Sequence, residues 1–86
     1  PQRFPAVPLA FETLQRGGDS GAVLNAADEV MTQRFLDGAV SFPAITATVG
    51  RVVRERPVGA VKDLDDVLAA DLEGRRLATQ LANTPS

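Results

Sequence analysis

The sequence contains no cysteine, no histidine, no tryptophan and no tyrosine. Without cysteine there is no disulfide framework and no thiolate chemistry. Without histidine the commonest general base and the commonest transition-metal ligand are both missing. Aromatic content is limited to four Phe, which argues against carbohydrate sites and the stacking platforms that hold nucleic-acid bases. No apolar run approaches the roughly 18 residues that span a bilayer, and no signal-peptide pattern opens the chain. Neither sign of charge dominates. Nine basic and eleven acidic side chains leave a net charge of −2, with no pull toward phosphate backbones. These absences predict a cytoplasmic protein with no nucleic-acid or membrane partner and no complete catalytic set of its own.

What is present is enough for one domain, residues 1–86. A chain this short buries roughly 60% of its unfolded surface, so its core is modest. The apolar fraction of 44%, mostly Ala, Val and Leu, is ordinary for a folded protein. The chain starts at Pro1 rather than Met, and the expectation is a piece of something longer.

Four helical segments are predicted. The first runs from about Pro8 to Arg16, with Pro5 and Pro8 suited to an entry turn. Leu9, Ala10 and Leu14 form its apolar stripe, with Phe11 beside it, and Gly17-Gly18 ends it. The second, about Gly21 to Asp37, carries Val23, Ala27, Val30, Met31 and Phe35 at helical spacing. Asp19 or Ser20 is placed to accept its first amide hydrogens, and Gly38 to terminate it. The third, about Pro43 to Arg56, buries Ile45, Val49, Val52 and Val53. A strand over Val49 to Val53 competes, but no alternation or hairpin partner supports it. The last region reads as a short helix capped by Asp63, then a longer one from Asp71 to about Ala82 with Leu72, Leu77, Ala78 and Leu81 as its stripe. Asn83 to Ser86 are expected to be a frayed tail. Short connections between apolar-faced helices point to an all-α, compact four-helix bundle-like domain.

Each constellation that could carry chemistry is incomplete. A di-metal carboxylate bundle needs Glu-x-x-His motifs. Here Glu12, Glu29, Glu55 and Glu73 stand alone, and Glu12, Glu55 and Glu73 fall on polar faces. Asp63, Asp65, Asp66, Asp71 and Glu73 lack the ligand alternation and central Gly of a calcium loop. Gly17-Gly18-Asp19-Ser20-Gly21 lacks P-loop spacing, and a helix rather than a strand precedes it. Arg51-Val52-Val53-Arg54-Glu55-Arg56 reads as a solvated helix face. The serines and threonines have no base placed beside them. No metal, cofactor or catalytic residue is therefore expected in this chain.

One feature is left. Asn25, Asp28 and Glu29 interrupt the most apolar helix, and spacings of three and four place them on one face. Ala26 and Ala27 beside them would let another backbone approach closely. An ordinary polar helix face accounts for this pattern; a polar docking face toward a neighbouring domain is the sharper reading.

The same stretch carries a family resemblance. Arg3-Phe4-Pro5-Ala6, Leu9-Ala10, the double-Gly turn and Ala22-Val23-Leu24-Asn25-Ala26-Ala27-Asp28-Glu29-Val30 recur in a known order. Phe35-Leu36-Asp37-Gly38, Ser41-Phe42-Pro43-Ala44-Ile45 and Asp65-Asp66-Val67-Leu68-Ala69-Ala70-Asp71 follow. Together they resemble the C-terminal domain of the 1-deoxy-D-xylulose 5-phosphate reductoisomerase family over essentially the whole chain. The family usually shows Asn where this chain has Asp28. The arginine of its last helix corresponds to Arg75 or Arg76, and Glu73-Gly74 replaces bulkier residues.

The resemblance implies a parent enzyme that makes 2-C-methyl-D-erythritol 4-phosphate for non-mevalonate isoprenoid synthesis. Its implied cofactors are NADPH and a divalent metal, Mg or Mn, and its implied assembly is a homodimer. Its nucleotide fingerprint, metal-binding Asp-Ser-Glu segment and Asn-Lys substrate loop belong to the two preceding domains, so no catalytic, cofactor or metal residue carries over here. The implied partners of this chain are the catalytic and nucleotide-binding domains of the same polypeptide. Asn25, Asp28 and Glu29 become the candidate interdomain contacts of a non-catalytic support domain. The competing expectation is a free-standing helical module that binds a partner protein through the same face.

Overall fold

The computed structural model describes residues 12–13 and 15–83. Among them lie three α-helices and no strand: α1, Ser20–Leu36; α2, Phe42–Glu55; and α3, Leu64–Ala82. The all-α class matches the helical periodicity of the sequence. Most of the predicted first segment, including its stripe of Leu9, Ala10, Phe11 and Leu14, lies outside the described residues. Residues 12, 13, 15 and 16 are helical, and Arg54 Nε of α2 donates to the Glu12 carboxylate at 3.1 and 3.2 Å.

Helix α1 stops where its sequence says it should. The Gly38 amide bonds Phe35 O at 3.0 Å, and the Ala39 amide reaches back to Arg34 O at 2.8 Å. This paired return satisfies two carbonyls of the last turn and needs a left-handed residue, supplied by Gly38 at φ +79°. Helix α2 begins behind an extended Ser41 with Pro43 in its first turn, where the missing amide hydrogen breaks no bond. Val49 to Val53 are helical, and the strand alternative is absent. The residue before a proline is pushed out of helical geometry. Arg56, preceding Pro57, accordingly leaves the helix with ψ 131°.

Helix α3 corrects the reading of the last region: one 19-residue helix replaces the predicted short-then-long pair. Nothing between Leu68 and Asp71 breaks a helix, and Ala69-Ala70 are the strongest helix formers available. Its start is doubly capped. Asp63 accepts from the Asp66 amide at 3.1 Å, and Asp66 accepts from the Lys62 amide at 2.8 Å, a reciprocal arrangement that satisfies two backbone donors. Asn83 caps its end by donating to Thr79 O at 3.1 Å; residues 84–86 of the expected tail lie outside the described residues.

Helix α1 is central and packs on both α2 and α3, which touch one another less. The core is Val23, Ala27 and Met31 from α1, Val49, Val52 and Val53 from α2, and Ala70 and Ala78 from α3. Phe35 and Ile45 of the predicted stripes sit at the margin. Leu72 is a correction, because it is 68% exposed rather than buried. The face of α3 that meets α1 is Ala70, Gly74 and Ala78, one small residue per turn. A Cβ at position 74 would lie 3.0 Å from Val23 O and 3.2 Å from Ala26 Cβ. Small residues let the two backbones approach; Leu77 and Leu81 of the predicted stripe pack partly buried against the core, while Leu64, Leu68 and Leu72 are turned outward.

Candidate functional site

The three residues singled out in α1 all lie exposed on its outer side. Asn25, Asp28 and Glu29 line one shallow depression of about 400 Å³ with Thr32, Gln33 and Leu36. Helical spacing alone brings them together, since 25, 28, 32 and 36, and likewise 25, 29, 32 and 36, are three or four residues apart. The adjacent small residues serve a different purpose from the one expected. Ala26 and Ala27 are buried and face the interior, where Ala26 receives Gly74 of α3. The close approach they permit is made within this chain.

Glu29 is tied to α3. Arg75 donates from Nη1 to Glu29 Oε1 at 2.9 Å and from Nε to Asp71 Oδ2 at 2.8 Å. The two carboxylates hold the guanidinium pKa above its ordinary value, Asp71 more than Glu29. Asp71 is one turn before Arg75 and fixes its direction, so the bridge to Glu29 is aimed by the sequence of α3 itself. All three side chains keep substantial contact with water. The energy of such a bridge is small.

A second polar assembly was not visible in the sequence. Asp19 is almost fully buried, at 6% side-chain exposure, and Arg56 is 14% exposed. Arg56 Nη1 donates to Asp19 Oδ1 at 2.8 Å, and its Nε donates to Glu73 of α3. The Gly59 amide donates to Asp19 Oδ1 at 2.9 Å, while the Asp19 amide donates to Gly59 O at 3.0 Å. Four groups from the start of α1, the end of α2, the following connection and α3 thus converge. The Arg56 hydrogen bond lowers the Asp19 pKa; burial opposes this, and the Gly59 amide lowers it further. Asp19 stands at the N-cap position of α1, as expected, but makes no side-chain bond to that helix. Its oxygens are directed to Arg56 and Gly59 instead.

The expectation of a solvated Arg51–Arg56 face is therefore half correct. Arg51 and Arg54 are exposed and pair with Glu55 and Glu12; the Arg54 hydrogen bond lowers the Glu12 pKa. Arg56 is drawn inward, because Pro57 removes it from the helical spiral that carries the other two outward. Arg followed by Pro-x-Gly was the available signal.

The expected phosphate-like turn is likewise filled from within. A Cβ on Gly18 would lie 2.5 Å from Gly59 O and 2.6 Å from Val58 Cγ1, so the double-Gly turn admits the 57–59 connection. The described carboxylates Glu12, Asp19, Glu29, Glu55, Asp71 and Glu73 each engage an arginine. Among the described residues no three His, Cys, Asp or Glu side chains converge as a metal site. Among the described residues, no helix is long and apolar enough to cross a membrane.

Comparison with known proteins matches residues 1–77 to the family described as "DXP reductoisomerase C-terminal domain". Among similar proteins, the 1-deoxy-D-xylulose 5-phosphate reductoisomerase of Burkholderia cenocepacia (strain HI2424) is 49% identical over 79 residues, 92% of this chain. That of Nitrosomonas eutropha (strain DSM 101675 / C91 / Nm57) is 43% identical over 83 residues, 96% of this chain. The chain spans about a fifth of the length of these curated relatives, 20% in both cases. No solved structure gives a significant match. With a family match across nine-tenths of its residues and an all-helical structure, the chain belongs to the DXP reductoisomerase C-terminal domain family.

Proposed function

We propose that this chain is a non-catalytic support domain, residues 1–86, of a 1-deoxy-D-xylulose 5-phosphate reductoisomerase. The observation that carries this reading is the pairing of two coverages. Relatives bearing that name match 92–96% of this chain, while it accounts for only 20% of each. In this proposal the parent uses NADPH and a divalent metal, Mg or Mn, on its other domains to make 2-C-methyl-D-erythritol 4-phosphate for isoprenoid synthesis. The parent is a cytoplasmic homodimer. The carboxylates of Glu12, Asp19, Glu29 and Glu73 support assigning it a structural role, since each pairs with an arginine from another segment of the fold.

The partners in this reading are the catalytic and nucleotide-binding domains of the same polypeptide, met through the outer face of α1. Asn25 and Asp28 are the informative positions, because truncating Glu29 also breaks its bridge to Arg75. In the full-length enzyme, Asn25→Ala with Asp28→Ala is expected to lower turnover or melting temperature. The 86-residue chain bearing both changes keeps its own melting temperature, because neither side chain is buried. Unchanged kinetics and melting in the full-length variant would remove the α1 face from the proposal. NADPH-dependent turnover by the isolated chain would overturn the support assignment altogether.

A further inference from the structure

The apolar side chains of this chain are sorted by size in an unusual direction. Among the described residues the fully buried hydrophobics are Ala and Val with one Met, and Leu77 and Leu81 of α3 pack partly buried against them, whereas Leu64, Leu68 and Leu72 of α3 are 69%, 52% and 68% exposed. Isolated exposed leucines are common and need no explanation. These three, however, recur every fourth residue, so they stand in line along about two turns of one helix face. Val61, exposed just before the helix, precedes the row. Asp71 and Arg75, each three residues beyond a leucine of the row, border it on the side where Arg75 reaches Glu29. The row and the outer face of α1 therefore meet along that ion-paired border.

We propose that Leu64, Leu68 and Leu72 form an apolar docking seam for the preceding part of the same polypeptide. This rests on the reading of the chain as one domain of a longer enzyme, and it names a second contact on α3. Size argues for a tethered occupant rather than a second copy. An untethered stable interface engages roughly 20–30 residues a side, and this row with Val61 is far smaller. A covalent linker raises the effective concentration to about millimolar, so a narrow seam suffices to hold a neighbour. The relatives supply such a neighbour, since four-fifths of their length lies outside the matched region.

Hydroxyl-radical footprinting tests this without a substitution. The 86-residue chain and the full-length polypeptide are labelled in parallel, and oxidation at Leu64, Leu68 and Leu72 is read by mass spectrometry. The expected result is about tenfold slower labelling of the row in the longer polypeptide, the contrast between solvated and interface-core side chains. Leu68→Lys in the longer polypeptide is expected to return Leu64 and Leu72 to the rate seen in the isolated chain. Equal labelling in both proteins, in a full-length polypeptide that turns over substrate, overturns the seam and leaves the proposed function standing. Protection without turnover supports the seam and removes the enzymatic reading. Protection of the isolated chain that rises with its concentration overturns the tethered occupant in favour of a second copy.

Discussion

Replacing Asp19 by Ala removes the centre of the buried polar assembly while leaving every helix sequence intact. Two hydrogen bonds to a carboxylate are lost, from Arg56 Nη1 at 2.8 Å and the Gly59 amide at 2.9 Å. Bonds of this charge-assisted kind contribute about 1.5–3 kcal/mol each. Arg56 keeps its contact with Glu73, which limits the penalty of leaving its charge unmatched. The expected net loss is therefore about 3 kcal/mol. An 86-residue domain has a total stability of about 4–13 kcal/mol at the usual value per residue. The variant should consequently melt about 12–24 °C lower, with Asp19→Asn falling between the two proteins.

The assay is urea and thermal unfolding followed by circular dichroism, repeated across pH. The folded-state pKa of Asp19 lies below its ordinary 3.8, because Arg56 stabilises the carboxylate. The contribution is thus present in full above pH 3.8 and is lost as pH falls through the depressed folded value. The gap between parent and Asp19→Ala should stay level near neutrality and close in strong acid. A gap below about 0.5 kcal/mol at pH 7, the scale of an unremarkable surface change, would refute the reasoning. So would a gap that persists undiminished in strong acid.

Two further outcomes concern the α1–α3 contact. Gly74→Val should destabilise by about 2–3 kcal/mol in chemical denaturation, because even a Cβ there meets Val23 O at 3.0 Å. Any helix-propensity gain from removing Gly, about 1 kcal/mol, is smaller than that. Arg75→Ala should lower the melting temperature by much less than Asp19→Ala, and the difference should fade in about 1 M salt, where exposed pairs are screened. A loss insensitive to salt would mean that packing of the Arg75 stem, rather than its charge, carries the effect.

The legible part of this fold was its punctuation. Gly38, Pro43, Pro57 and Asp63 each impose a local backbone requirement that no distant contact changes, and the helix limits lie within a residue or two of them. Core residues of α1 and α2 were readable as well, because Val23, Ala27, Met31, Val49, Val52 and Val53 repeat at helical spacing on a face with no rival. In α3 two faces competed. Ala78, Leu77 and Leu81 of the predicted stripe do meet the core, but Leu72 is exposed, and Ala70 and Gly74 face inward in its place because they permit a closer contact with α1. That choice depends on the shape of the partner helix, which periodicity does not contain. The polar assembly was hidden for a related reason. Asp19, Arg56 and Glu73 are dispersed along the chain, and each has an ordinary local explanation as a cap or a surface charge. At the candidate site, the grouping of Asn25, Asp28 and Glu29 was readable from spacing, whereas the engagement of Glu29 by Arg75 required the crossing of two helices.

The assembly around Asp19 also has a place in time. Its partners lie 37 and 40 residues away along the chain, whereas the caps of α1 and α3 close within a few residues. Local turns and helices form in microseconds or less, while contacts that close long loops wait for the intervening chain to order. Arg56 and Gly59 meet Asp19 only where the end of α2 returns to the start of α1, so the clamp is expected to close late in folding. A contact formed that late governs how slowly the native state opens and has little influence on how fast it forms. Asp19→Ala is accordingly expected to speed unfolding in stopped-flow kinetics while leaving the folding rate nearly unchanged, the behaviour of a latch that joins the start of α1 to the end of α2.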